Sequence, residues 1–570
     1  MKNSLTMLIA AATAAMLGTS CQQSIVNSQP STVQMSTPGS PYMPLWEHIP
    51  DGEPYVFEDP DQPGKFRVYV YGSHDDIITD YCGRDQVVWS AAVDSLNNWR
   101  YDGTILVVDK NRDGEPFDSA GTADVLFAPD VTFVKAPDGS AGGTYYLFPN
   151  DQTGYRNGLI AKSDRPDGPF VVCNWNKDNP NQVDGVLQFD PAVFVDDDGR
   201  VYGYWGFERS YAAEFDPTTM ATVKPGTEIV EDMISGRNQP GRFKFFEASS
   251  IRKIKDKYVF IYSRFTEDGE FGLPTSNYTL AYCYSDHPLG PWTYGGTIID
   301  GRGREVDEQG NVIASATPDG NTHGSICEVN GQWYVFYHRQ TGTNEFARQA
   351  MVAPIDVNVE EGPGGKVTIS EGEYNSQGFA LDGLDPFERH SAGIACWYTG
   401  PKPATHEWPN NTFYGSYVAA GYGNSNVKTT ADTFEPAEKY ERPYDLRYNT
   451  NDVVNNTAGS IVGYKYFKLD KATVGRKDLK LLMNLTPLGV DGTIEVWILR
   501  PWPVAVPDRC AEGVKLGAIQ LKADMKQEPT EMSAELPELG SFEGQLPIFF
   551  KFVSDTKDKS LCTLHDFVFE

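Results

Sequence analysis

"DPAVFVDDDGRVYGYWGF", residues 190–207, has the pattern of a β-hairpin. A short apolar run, Ala192 to Val195, meets an Asp-Asp-Asp-Gly turn and returns as an aromatic run, Val201 to Trp205. Glycine at the turn supplies the positive φ that tight hairpins demand, so two short antiparallel strands are expected. The theme recurs along the chain: "EPYVFEDPDQPGKFRVYVYGS" at 53–73, "APDVTFVKAPDGSAGGTYYLFPN" at 128–150, "EASSIRKIKDKYVFIYSRF" at 247–265 and "HGSICEVNGQWYVFYHRQ" at 323–340. A second element recurs out of phase with it, as "VDSLNNW" at 93–99, "SDRPDGPF" at 163–170 and "SDHPLGPW" at 285–292. Self-similarity of this kind marks sheets repeated around an axis. Five four-stranded blades over residues 42–375 are expected, hence a five-bladed β-propeller.

Beyond residue 376 the rhythm changes. "GSIVGYKYFKL", "GTIEVWILRPW", "GVKLGAIQL", "LPIFFKFV" and "LHDFVFE" are strands at the spacing of a β-sandwich and lack the blade theme. The predicted class is therefore all-β, a propeller followed by a sandwich over residues 376–570. Composition agrees, with 30 Tyr, 30 Phe, 11 Trp, 54 Gly and 38 Pro favouring short strands and tight turns over long helices. At 570 residues the chain exceeds what one core holds.

The formal net charge of −30 excludes nucleic acid and anionic membrane surfaces as partners, because phosphate binding needs an excess of Lys and Arg. A neutral ligand suits this surface, and a monomer is expected. The N-terminus, "MKNSLTMLIAAATAAMLGTSC", has a Lys, a short apolar run, small residues and a Cys. It resembles a bacterial lipoprotein signal over residues 1–20, with cleavage before Cys21 and a tether over 21–41. An exported protein is expected, held by lipid to the outer membrane, with the periplasmic side favoured because "CQQSIVN" carries no acidic run. The other cysteines, Cys82, Cys173, Cys283, Cys327, Cys396, Cys510 and Cys562, are scattered without a CxxC pair, so buried thiols are expected rather than a zinc site.

The innermost strand of a propeller blade begins beside the central channel, so residues at the five strand heads converge on one funnel. Here the heads carry Glu53, Asp130, Asp190, Glu247 and His323. A single acid at a strand start is an ordinary turn residue. The same placement in every blade is a constellation. Carboxylates around a neutral ligand suit hydrolysis of a glycosidic bond, which needs a protonated acid for the leaving oxygen and an ionised base for water. Burial beside Phe245 and Phe246, with a third carboxylate near, would raise the pKa of Glu247 and suit it to the acid's part. Trp89 and Trp205 are candidates for stacking on sugar, with a place in the core as the alternative. The "DDDG" at 196–199 lacks the spacing of a calcium loop and is read as a turn.

With these motifs in order, residues 42–360 resemble glycoside hydrolase family 43, five-bladed inverting enzymes acting mostly on polysaccharides containing arabinose and xylose. The resemblance implies Glu53 as general base, Asp190 as the residue that tunes the acid's pKa, and Glu247 as general acid. It implies a channel histidine at His323 that helps hold calcium through water, and a substrate-side Arg at Arg348 in "NEFARQAM"; Asp130 joins the substrate-binding candidates. The family usually has Asp before the first-blade proline. Here "PDGEPYVF" offers Glu53, with Asp51 two residues earlier as the alternative base. On "GYKYF", "TPLGVDGTIEVWI" and "LHDFVF" the C-terminal part resembles carbohydrate-binding modules of family 6, to bind glycan or to support the propeller. The expected function is an exo-acting α-L-arabinofuranosidase trimming polysaccharide side chains, with β-xylosidase and exo-β-1,3-galactosidase as alternatives. A glycan-binding surface lipoprotein without catalysis is the alternative of another class. Retaining fructan-cleaving propellers are set aside, since their nucleophile strand and Arg-Asp-Pro motif are absent.

Overall fold

The structure, a computed structural model, describes residues 34–36, 39–75, 80–117, 119, 121–136, 142–151, 156–420, 451–500 and 513–570. The expected signal over residues 1–20, Cys21 and Cys510 lie outside them. Each of the five hairpins read from the sequence is the inner part of a separate antiparallel sheet. Blade I is built on Glu53–Glu58, Phe66–Tyr71, Asp85–Ala92 and Asn98–Val107, and blade II on Leu126–Lys135, Gly143–Asp151, Ala161–Ser163 and Val171–Val172. Blade III runs from Ala192–Val195 through Val201–Trp205 and Tyr211–Phe215 to Val230–Glu231. Blade IV runs from Phe245–Ile254 through Lys257–Arg264 and Thr279–Ser285 to Thr293–Asp300.

Blade V departs from the expected four strands, having three: Ser325–Val329, Gln332–Gln340 and Arg348–Ile355. Beyond them the chain makes a separate hairpin, Val357–Val359 with Val367–Ile369, instead of a fourth strand. Blade I gains a strand, since Gln34–Ser36 pairs with Asn98–Arg100 on its outer edge. That segment was expected to be tether. Edge pairing uses backbone N–H and C=O groups, which a Ser/Pro/Gln-rich composition does not announce.

The Asp-Asp-Asp-Gly segment is a tight turn as expected, with Asp196 and Arg200 joined through their backbones and Gly199 at φ 82°. Between blades I and V the chain crosses at Gly52 and Gly324, which form a parallel bridge. A Cβ on Gly324 would lie 1.9 Å from the Phe336 carbonyl oxygen, so only glycine permits this approach. The bridge sets Asp51 and His323, one residue before each glycine, side by side at the axis.

The C-terminal region is two packed sheets. One contains Tyr417–Val418, Val453–Val454, Cys562–Phe569, Lys480–Pro487 and Thr530–Glu535. The other contains Trp397–Thr399, Ile461–Leu469, Gly544–Val553, Gly492–Ile498 and Val514–Leu521. Alternate residues face inward as the strand period requires, with Ile494, Val496 and Ile498 fully buried. The segments behind the family 6 likeness supply this core through Tyr464, Phe467, Leu564 and Phe567.

This core does not stop at the sandwich. Ile326, Val335, Met351, Ala353 and Tyr374 on the propeller side belong to the same buried apolar cluster as Ile394, Tyr398, Tyr464, Phe550 and Phe567. Arg339 of blade V, buried, donates to the Ala395 carbonyl at 2.7 Å and to that of Gly393. The Tyr398 N–H donates to Ser315 at 2.8 Å.

Candidate active site

Asp51, Asp190 and Glu247 form one buried acidic group at the channel, each no more than 8 % exposed. The backbone is bent to aim them. Asp51 has φ 59° and Asp190 φ 47°, a left-handed conformation that Asp tolerates better than most residues. Glu247 lies where the inner strand of blade IV slips register against its neighbour, between Phe245 and Ser250, and Ala248 after it has φ 67°. A bulge of this kind re-aims a side chain. It also turns the Ala248 N–H toward Asp190 Oδ2, at 2.9 Å, which ties the heads of blades III and IV together.

Three groups hold Asp51. Ser73 Oγ donates to Oδ2 at 2.6 Å, Arg348 Nη1 lies 3.0 Å from Oδ1, and its own N–H donates to His338 Nδ1 at 3.2 Å. Arg348 also grips Asp75 with two bonds of 2.8 Å, and the Tyr81 ring stands 5.1 Å from its guanidinium carbon. His338 is pushed down to about 3, first by burial, so it stays neutral and accepts from Asp51 at Nδ1. Its Nε2–H then donates to the Asn321 carbonyl at 2.9 Å.

These surroundings drive the two outer carboxylates apart in protonation. Burial alone would raise the Asp51 pKa, but the Arg348 charge, with the Ser73 hydroxyl, outweighs it and holds it below the ordinary value. Glu247 is raised well above the ordinary value, first by burial, then by the negative charges of Asp190 and Asp51. Asp190 is pushed up to about 6 by burial, with His323 opposing and Asp51 adding to the rise. One group is kept ionised and another protonated, the division that acid and base chemistry at a single centre needs.

Glu53, expected as the base, lies in a different cluster. Its Oε2 meets Arg252 Nη2 at 2.7 Å, and Arg252 Nη1 reaches the Tyr55 hydroxyl at 3.1 Å. Tyr55 in turn donates to Asp130 Oδ1 at 2.7 Å. Arg252 stands five residues further along the inner strand of blade IV than Glu247, so this group sits deeper in the channel. Asp130, a substrate-binding candidate, also accepts from the Val193 N–H at 2.6 Å and is pushed up to about 7 by burial and the Glu53 charge. Asp51, not Glu53, is among the strongest charges on Asp190 and Glu247. The acid-Pro pattern of "GEP" led to Glu53, but that residue is already the first residue of the strand and pairs with Tyr71.

Trp89, expected to stack on sugar, is fully buried between blade I and the N-terminal segment, its indole N–H donating to Glu47 Oε2 at 3.0 Å. Trp205 is buried too, stacked on Tyr211 with ring centroids 5.9 Å apart. Arg348 reaches the acidic group by holding Asp51. His323 Nδ1 lies 3.6 Å from Asp190 Oδ2, and its Nε2 is buried without a hydrogen-bond partner. Calcium takes six to eight oxygens. Among the described residues no group of three or more His, Cys, Asp or Glu is arranged to hold a metal.

Residues with no signal in the sequence complete the rim. Glu345 Oε2 accepts from the Tyr81 hydroxyl at 2.5 Å, and its Oε1 lies 3.4 Å from His406 Nε2. His406 belongs to the sandwich, where Thr405–Glu407 pairs with Asn410–Thr412.

A five-bladed propeller whose channel gathers buried carboxyls with pKa values driven apart is suited to the hydrolysis of a glycosidic bond. The sequence comparisons agree, because residues 68–363 match the family described as glycosyl hydrolases family 43, and the chain belongs to that family. The match begins after both Asp51 and Glu53. A xylosidase/arabinosidase of Thermoclostridium stercorarium is 34% identical over 400 residues, covering 66% of this chain and 76% of that protein. An arabinoxylan arabinofuranohydrolase of Paenibacillus polymyxa is 27% identical over 66% of this chain and 59% of its own length. A family 43 arabinoxylan arabinofuranohydrolase from Bacillus subtilis, solved in complex with cellotetraose, superimposes with a TM-score of 0.41 at 19% identity, covering 93% of this chain and 97% of that one.

Proposed function

We propose that the protein is an inverting, exo-acting glycosidase that removes α-L-arabinofuranosyl side chains from arabinoxylan-type polysaccharide, with Asp51 as general base and Glu247 as general acid. The observation that carries this is the meeting of Asp51, Asp190 and Glu247 in one buried group, where Arg348 holds Asp51 at 3.0 Å and the Ala248 N–H donates to Asp190 at 2.9 Å, with the Asp51 pKa lowered and the Glu247 pKa raised. Water bound at Asp51 gives its proton to the carboxylate as its oxygen bonds to the anomeric carbon. The glycosidic C–O bond breaks on the opposite side, and the Glu247 proton passes to the departing sugar oxygen. Asp190 keeps Glu247 protonated by its charge and holds the following backbone through the Ala248 N–H. Arg348 keeps Asp51 ionised. Calcium enters none of these steps.

The arabinofuranosyl substrate follows the names of the relatives, which include both xylosidase/arabinosidase and arabinoxylan arabinofuranohydrolase. β-Xyloside cleavage is therefore the second activity to expect. Export with a lipid at Cys21 is part of the same proposal. Hydrolysis of aryl α-L-arabinofuranoside, β-xyloside and β-galactoside by the wild type and by Glu247→Gln tests it. Release of arabinose, lost in the variant, is expected. No turnover on any of the three, or equal turnover by the variant, overturns it.

A further inference from the structure

We propose that the sandwich hairpin Thr405–Thr412 is a wall of the substrate funnel, and that Trp408 at its tip is the face on which a sugar of the polymer next to the cleaved linkage stacks. The proposal deepens the glycosidase function above and rests on it for the identity of the sugar.

Three observations converge on Trp408. The hairpin is locked to the blade V loop that carries Glu345: Asn410 bridges Asn344, and the Asn411 N–H donates to the Thr343 carbonyl at 2.9 Å. Inside the hairpin His406 Nδ1 meets Asn411 Oδ1 at 3.1 Å, which turns Nε2 toward Glu345. The position of the wall relative to the propeller is therefore set by contacts on both of its strands.

Next, the hairpin reaches Tyr81 through Glu345, which faces His406 Nε2 with one oxygen and accepts from the Tyr81 hydroxyl with the other, and the Tyr81 ring lies over Arg348, the partner of Asp51. Trp408, two residues beyond His406, is 67 % exposed. An indole with a ring face open to solvent at the rim of such a funnel can receive the C–H face of a sugar.

Last, exposure of this kind is selective. Among the described residues, the exposed phenylalanine and tryptophan side chains are Phe66, Phe207 and Trp408, and two of the three stand beside the acidic group. Phe207 packs on Phe189 and Phe246, the neighbours in sequence of Asp190 and Glu247, with ring centroids 4.8 and 5.0 Å away. The hairpin of Trp408 approaches from the Asp51 and Arg348 side, through His406, Glu345 and Tyr81. The acidic group thus has an open aromatic on either flank, one from blade III and one from the sandwich. A single exposed aromatic is ordinary on a protein surface, whereas a pair bracketing a carboxylate group suits a saccharide chain.

The test compares kcat and KM of the wild type, Trp408→Ala and Trp408→Phe on an arabinoxylan oligosaccharide and on aryl α-L-arabinofuranoside. It adds calorimetric titration of the oligosaccharide into Glu247→Gln with and without Trp408→Ala. For Trp408→Ala, KM for the oligosaccharide is expected to rise about tenfold with kcat nearly kept, KM for the aryl glycoside to rise less, and oligosaccharide affinity to fall about tenfold. Trp408→Phe is expected to recover most of the loss. Unchanged KM and affinity in Trp408→Ala, or an equal fall of kcat on both substrates, overturns the proposal. Should the wild type turn over neither substrate, the glycosidase function falls by itself and the titration still decides the wall: weaker binding in the Trp408→Ala background upholds it, and equal or absent binding overturns it.

Discussion

Arg348 and Asp51 meet at 3.0 Å, Nη1 to Oδ1, across 297 residues of sequence, and the other edge of the same guanidinium is forked on Asp75. Blade V thereby holds the carboxylate at the head of blade I in its ionised form. That contact lowers the Asp51 pKa, while burial and the charges of Asp190 and Asp51 raise that of Glu247.

The bond geometry separates Asp51 from Glu53 experimentally. Asp51→Asn is expected to lower kcat by about 10²- to 10⁴-fold with little change in stability, as removal of a general base does. Glu53→Gln is expected to cost about 3 kcal/mol of stability by leaving Arg252 without its buried partner, with kcat falling far less. Kinetics and thermal melts of both variants check this, and a larger kcat loss in Glu53→Gln reverses the assignment.

The pH profile of kcat/KM is expected to be bell-shaped. Activity falls on the acid side as Asp51, whose pKa is lowered, takes up a proton, and on the alkaline side as Glu247, whose pKa is raised, loses its own. Asp190→Asn removes the first charge that helps keep Glu247 protonated, so the Glu247 pKa falls and the alkaline limb moves to lower pH, by about one unit. A limb that stays in place or moves upward contradicts the role given to Asp190.

Arg348→Lys keeps the charge and loses the planar fork that serves Asp51 and Asp75 together. With less to offset its burial, Asp51 titrates at higher pH, and the acid limb of kcat/KM is expected to shift upward. Profiles of wild type and variant measured between pH 3 and 7 read the shift, and coincident acid limbs rule it out.

Ending the chain at residue 375 exposes Ile326, Val335, Met351 and Tyr374, which are buried in the core shared with the sandwich. A large apolar face opened in this way favours aggregation. The shortened protein is expected to elute in the void volume of a sizing column. A soluble monomer with wild-type turnover of aryl glycosides would show the two parts to be independent.

Much of this molecule is legible in the order of its residues, since a hairpin is a local object. Alternating apolar positions and a turn glycine such as Gly199 announce each inner strand pair, so the repeat of blades and the change of rhythm after residue 376 can be read directly. The acidic heads Asp190 and Glu247 are legible for the same reason, each placed by its own hairpin. What needs the folded chain is whatever depends on depth along the axis or on ring closure. Whether Asp51 or Glu53 shares a field with Glu247 turns on the left-handed residue at position 51 and the approach of Gly52 to Gly324. Trp89 reads as well for the surface as for the core until blade V and the N-terminal segment close over it. The Tyr81, Glu345, His406 and Trp408 group comes from blade I, blade V and the sandwich, joined by side chains as far apart as 264 positions in sequence. Local periodicity carries no information about such meetings. They are decided by how the blades close around the axis and how the sandwich packs on the last of them.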